Sequence, residues 1–128
     1  MKLLSASILA AALLAGCGSM SSSPAPDTPT RTVDGVLIGP NGMTLYTFDN
    51  DTAGSGKSAC TGPCAGLWPP VMAEADAKPE GDMTIVARDD GTKQWAYKGK
   101  PVYLYKSDMK VGDMTGDNFK NVWHVIKP

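Results

Sequence analysis

The chain carries a single histidine, three cysteines and no run of lysine or arginine along its 128 residues, and each shortage removes a class of function. One imidazole, His124, with no second histidine and no serine nearby, supports neither a multi-histidine zinc site nor a Ser-His-Asp constellation. Twelve basic and thirteen acidic residues are interleaved, so no basic stripe exists to track a phosphate backbone, and nucleic acid is excluded as a partner. The longest apolar run, Leu3 to Gly16, has fourteen residues, short of the roughly 20 needed to span a hydrocarbon core. No βαβ alternation is visible, which removes a thioredoxin-like layout. What the chain has in quantity is fourteen glycines and ten prolines, the composition of short strands joined by tight turns. Its length allows one domain with one modest core. The expectation is an all-β fold of short, mainly antiparallel strands with at most one or two helical turns.

The apolar run has the length of a signal-peptide core, preceded by the positive Lys2 and closed by small residues. Its end, Leu14-Ala15-Gly16-Cys17, resembles the bacterial lipobox, in which the cysteine receives lipid before cleavage. The resemblance implies a signal peptide over residues 1–16 and lipidation at Cys17, with several acyl chains giving stable membrane anchoring. Ser19, where an aspartate would signal retention in the inner membrane, implies sorting to the outer membrane. Gly18 to Thr30 is a Ser, Pro and Thr tract with Met20 as its one large apolar residue, too polar to bury the surface that ordering requires. Residues 17–30 are therefore expected to be the lipidated cysteine and a tether. The folded domain is expected over 31–128.

Within that domain, β-prone runs are bounded by Gly, Pro, Asn and Asp. Val33 to Ile38 and Met43 to Phe48 flank Gly39-Pro40-Asn41-Gly42, whose Asn-Gly pair is a hairpin signal. Gln94 to Tyr97 and Pro101 to Tyr105 flank Lys98-Gly99-Lys100, and Thr84 to Arg88 and Asn121 to Ile126 read as further strands. Ala59 to Leu67 and Ala73 to Ala77 leave room for helical turns. The two halves superpose at an offset of 57, with Gly42, Leu45, Tyr46, Phe48 and Asp51 falling on Gly99, Val102, Tyr103, Tyr105 and Asp108. Trp68-Pro69-Pro70-Val71 and Trp123-His124-Val125-Ile126 repeat at an offset of 55. Two repeats, about 33–72 and 84–126, are expected to pack together, each too small to close a core alone.

Tyr46-Thr47-Phe48-Asp49-Asn50-Asp51 and Tyr103-Leu104-Tyr105-Lys106-Ser107-Asp108 resemble the Tyr-x-(Phe/Trp/Tyr)-x-x-Asp motif of a family of bacterial lipoproteins, also described as a secreted repeat of unknown function. Cys60-x-x-x-Cys64 before Trp68-Pro69-Pro70, and Gly99 to Tyr103, Gly112-Asp113, Gly116 and Trp123, resemble the same family. The similarity runs from Asp34 to Ile126. It implies a domain type and an envelope location and no reaction, since the family has no established activity.

In a strand, Tyr46 and Phe48 share a face, as do Tyr103 and Tyr105. They are expected to form a core or inter-repeat seam with Trp68 and Trp123; an exposed aromatic platform for a glycan or apolar ligand is the sharper alternative. Asp51 and Asp108 follow the strand ends, where a carboxylate accepts backbone N–H groups and fixes the outgoing turn. Acid–base chemistry between the two lacks an accompanying base or nucleophile. Cys60 and Cys64 are the remaining thiols in an oxidising compartment, and a disulfide is expected. The alternative is a copper or thiol redox site at Cys60, Cys64 and His124, supported by scattered methionines as soft ligands. Gly54-Ser55-Gly56-Lys57-Ser58 looks like the end of a phosphate loop, yet Asp51 stands where that loop needs glycine, so no nucleotide is expected. Asp49-Asn50-Asp51 begins like a calcium loop but Cys60 stands where glutamate belongs; Asp108, Asp113 and Asp117 offer the same weak cation reading. No cofactor is expected. The sequence reading is a non-enzymatic envelope module held on the membrane, with a protein or glycan of the envelope as its partner.

Overall fold

The computed structural model describes residues 28–128. The expected signal peptide, Cys17 and the tether as far as Asp27 lie outside them. Thr28 and Pro29, which composition assigns to the tether, are buried, so packing begins before Arg31.

Among the described residues, seven short strands form two antiparallel sheets. Strands β1 (Arg31–Val33) and β2 (Val36–Ile38) make a hairpin. The second sheet has the order β4-β5-β6-β3-β7, built from β3 (Tyr46–Phe48), β4 (Met83–Ala87), β5 (Lys93–Tyr97), β6 (Lys100–Tyr103) and β7 (Trp123–Val125). A five-residue helix, α1 (Pro63–Leu67), lies inside the expected helical window. Ala73 to Ala77 forms a turn without a helix, with Ala73 N–H spent on Lys93 C=O of β5 and Ala77 N–H turned back onto Glu74 C=O.

One strand expectation is corrected. Val33 to Ile38 is not one strand but the turn and second strand of the hairpin Arg31 to Ile38, because Asp34 (φ 54°) and Gly35 (φ 80°) both adopt the left-handed conformation of a two-residue turn. Lys98 (φ 48°) and Gly99 (φ 86°) make the same turn between β5 and β6.

The topology follows from the duplication. β3 of the first repeat is inserted between β6 and β7 of the second. β3 and β6 run side by side at the centre, with Tyr46 opposite Tyr103. Each repeat then sends its Trp-led segment across to the other. β7 pairs with β3, placing Val125 opposite Tyr46 and Trp123 opposite Phe48. The segment after Trp68 pairs with β6 and β5 through Pro70–Tyr103 and Met72–Gln94 bridges, with Trp95 N–H donating to Val71 C=O. Pro69 and Pro70 lack N–H donors, so this segment makes bridges where its counterpart makes a strand.

Side-chain alternation sorts the core into two clusters. Leu45 and Val102 join Leu37, Val71, Met83, Trp95 and Ile126 in an aliphatic cluster. Their neighbours Tyr46 and Tyr103 join Phe48, Cys60, Trp68 and Trp123 in an aromatic one. The central strands are thus covered on both faces.

Candidate functional site

The motif residues converge on the aromatic cluster. Phe48, Trp123, Trp68 and Tyr105 form one continuous stack, with successive ring centroids 4.2, 3.8 and 4.2 Å apart. Members alternate between repeats: Phe48 of the first lies on Trp123 of the second, and Tyr105 of the second on Trp68 of the first. Tyr46 meets Trp68 edge-on at 5.2 Å and Tyr103 meets Trp123 edge-on at 5.1 Å. Offset and edge-to-face contacts of this kind add to the area that the rings bury. Tyr46 and Tyr103 are completely buried and Trp68 and Trp123 nearly so. The aromatic pairs are packed into the seam, with Tyr105 partly exposed at its end.

The hydroxyls are exchanged as well. Tyr46 donates to Asp108 Oδ2 at 2.6 Å, and Tyr103 donates to Asp51 Oδ2 at 2.7 Å. Each motif's tyrosine is therefore completed by the aspartate of the other motif. The second oxygen of each carboxylate holds its own loop: Asp51 Oδ1 accepts Ala59 N–H at 2.6 Å, and Asp108 Oδ1 accepts Thr115 N–H at 3.0 Å. This is the turn-fixing role the sequence anticipates, with a cross-repeat bond added. Both aspartates are buried, at 5% and 7% exposure, where an unpaired polar atom is costly. Burial first, and then the hydrogen bond to the carboxylate, push both phenols well above the ordinary tyrosine range.

The exchange extends to glycine. A Cβ on Gly99 would sit 2.7 Å from Gly54 N, and one on Gly42 would sit 3.0 Å from Val111 Cγ2. Positions 54 and 111 differ by the repeat offset of 57, so each motif glycine receives the same loop position of the other repeat. Gly116, whose N–H donates to Tyr46 OH at 3.2 Å, leaves room for the stack, since a Cβ there would lie 2.5 Å from the Trp68 ring.

Sequence reasoning missed a polar network beside this site. Arg88 donates to Gln94 Oε1 at 2.6 Å, Ser58 Oγ at 3.1 Å and Cys60 C=O at 2.9 Å. Fully buried Gln94 donates to Val102 C=O at 2.8 Å. Tyr103 spends its proton on Asp51, so the Ser58 hydroxyl, 2.6 Å away, donates to the phenol oxygen. A lone arginine after a strand gives no signal for this arrangement; the contacts span 6 to 30 residues.

Cys60 and Cys64 form a disulfide. It closes residues 60–64 directly after Ser58 and Ala59, and Trp68 N–H bonds Cys64 C=O at 2.8 Å. The thiols of the copper or redox alternative are thus joined to each other. His124 lies apart from them in β7, its Nε2 2.9 Å from Asp49 Oδ2 and its Nδ1 3.2 Å from Asn118 Oδ1. Among the described residues no three His, Cys, Asp or Glu side chains converge as a metal site would require. Asp113 turns its carboxylate onto Met109 and Lys110 N–H groups, and Asp117 accepts Val125 N–H, so the acidic residues of the second loop serve separate backbone positions.

No curated protein and no solved structure matches the chain. The two segments that exchange their rings, hydroxyls and glycines are matched as two repeats, residues 28–72 and 84–127, and the chain belongs to the lipoprotein family described as a secreted repeat of unknown function.

Proposed function

We propose that the chain is an envelope lipoprotein, anchored at the outer membrane through lipid on Cys17, whose domain is a non-enzymatic binding or structural module for a protein or glycan of the envelope. The observation that carries this reading is where the family motif is spent. Tyr46, Tyr103, Asp51 and Asp108 satisfy one another and their own loops, and groups already bonded inside a seam are poor candidates to meet a substrate. The motif serves architecture, and the recognition surface is left to the loops that the architecture presents.

Anchoring is tested by growing cells with labelled palmitate. The wild-type chain takes up the label and fractionates with the outer membrane, and Cys17→Ala does neither. Label uptake that survives Cys17→Ala removes the anchor from this residue. The binding role is tested by the unfolding midpoint of the purified protein in solubilised envelope fractions, where a bound partner raises it by mass action. A midpoint indifferent to every fraction argues for a purely structural part.

A further inference from the structure

The two repeats differ most tellingly in the loop after the motif. In the first repeat, residues 52–57 read Thr-Ala-Gly-Ser-Gly-Lys, all exposed and none large and apolar. At the same offset of 57, Thr52, Gly54 and Lys57 are replaced by Met109, Val111 and Met114. These are exposed at 82%, 59% and 46%. Both loops do the same structural work: each follows a buried aspartate that fixes it, and each sets position 54 or 111 against the other repeat's glycine. The first loop does so with small and polar residues. Met109 and Met114 are therefore surplus to what the fold asks of this position, and Val111, whose side chain packs on Gly42, still stays 59% exposed; exposing large apolar side chains together on a folded surface is a signature of contact.

The charge of the loop is arranged to match. Asp108 is buried on Tyr46 and Thr115, and Asp113, only partly covered, spends its Oδ2 on Met109 N–H at 2.8 Å and Lys110 N–H at 3.1 Å. Thr44 pins the loop by donating to Asp113 C=O at 2.7 Å. Lys106 and Lys110 are both exposed beside the three apolar side chains, two cations against the single partly exposed carboxylate of Asp113. A rigid surface that pairs apolar tips with lysines suits an anionic lipid interface.

Tether geometry names that lipid. Thr28 is already packed on the domain, and the eleven residues from Cys17 reach at most ~40 Å, about the width of a domain of this size. The strand that the tether enters pairs at Arg31 with Ile38, one residue before the Gly39 to Met43 turn on which Val111 packs through Gly42. We propose that the loop from Lys106 to Gly116 is a membrane-contact surface, with Met109, Val111 and Met114 entering the lipid interface and Lys106 and Lys110 facing anionic headgroups. This rests on the anchoring reading above and changes the role of the tether. A linker this short holds the loop at high effective concentration over the bilayer, so a weak contact suffices, and the domain lies against the membrane instead of standing off it.

The test uses the full lipidated chain on vesicles of phosphatidylcholine and phosphatidylglycerol carrying nitroxide-labelled acyl chains. A bimane fluorophore is placed at Met109→Cys, or at its counterpart in the other repeat, Thr52→Cys. Fluorescence at 109 is expected to be quenched and blue-shifted while that at 52 stays aqueous, with quenching reduced by salt and lost in Val111→Asp/Met114→Asp. Equal, aqueous signals at both positions overturn the proposal, as does protection at 109 seen only in native envelopes, which would assign the loop to a protein partner. Flotation with the vesicles, compared with Cys17→Ala, reads the anchor independently. A wild-type chain that does not float sinks the anchoring reading and the proposal together, whereas one that floats with both labels wet sinks the proposal alone.

Discussion

Trp68 and Trp123 lie ring on ring, 3.8 Å apart and 2° from parallel, though they belong to different repeats. Phe48 and Tyr105 extend the pair on either side, each lying on the indole of the repeat to which it does not belong. Neither repeat keeps a stack when separated from the other, so the two halves are expected to unfold as one cooperative unit.

The exchanged tyrosine bonds give a direct measure of that unit. Tyr46→Phe leaves Asp108 Oδ2 and Gly116 N–H without their partner, and Tyr103→Phe does the same to Asp51 Oδ2 and Ser58. Each is expected to lower stability by about 1–3 kcal/mol, the cost of a buried group left unsatisfied. Urea unfolding followed by circular dichroism checks this, with the midpoint falling and the slope unchanged. Wild-type stability in both variants would strip the hydroxyls of their structural role.

The same phenols set an alkaline limit. Their folded-state pKa values are raised above the ordinary value, so their contribution is complete below about pH 10, the unfolded tyrosine range. It is lost as pH rises from there toward the raised folded values. The melting temperature is expected to fall in that window, and the tyrosinate absorbance of Tyr46 and Tyr103 to appear together with unfolding. The Tyr46→Phe/Tyr103→Phe protein, less stable at neutral pH, should lose less on going alkaline.

Gly116 isolates pure crowding, because its backbone is not in the left-handed region. Gly116→Ala places a methyl group 2.5 Å from the Trp68 ring and 2.9 Å from that of Tyr105. Overpacking of this kind costs about 1–3 kcal/mol. Near-ultraviolet circular dichroism, which reports the stacked indoles, should change along with the melting temperature. An unaltered spectrum would mean that the stack has slack.

Reduction of the disulfide is expected to weaken the domain without unfolding it. The loop closed by Cys60 and Cys64 spans four residues of separation, and chain-entropy reasoning for so short a loop gives about 2 kcal/mol. Cys60→Ser/Cys64→Ser should melt earlier, with Ala59 and Trp68 amides losing hydrogen-exchange protection first, since the clamp positions both. Uniform loss of protection would show that the bridge supports the whole domain.

The duplication, the β character and the seam of motif rings were legible from spacing, because equivalent residues recur at fixed offsets. Which copy each residue serves was not. An offset of 57 pairs Tyr46 with Tyr103 as equivalents, but it carries no information that Tyr46 bonds Asp108 in preference to Asp51, a choice made by strand order. Asp34-Gly35 was overlooked inside an apparently continuous apolar run, although Asp-Gly is itself a turn signal. Arg88 and Gln94 were invisible for a different reason. A buried amide and a half-buried guanidinium look like surface residues until the strands that cover them are in place.

The crossing of the Trp-led segments sets an order of events for a chain that leaves the ribosome from its N-terminus. Residues up to Val71 emerge with their rings and hydroxyls addressed to strands still to come. β3 has no neighbours in its sheet until β6 and β7 arrive. Closure therefore waits for β7, and a chain that stops short of Trp123 has neither the outer neighbour of β3 nor the second indole of the stack.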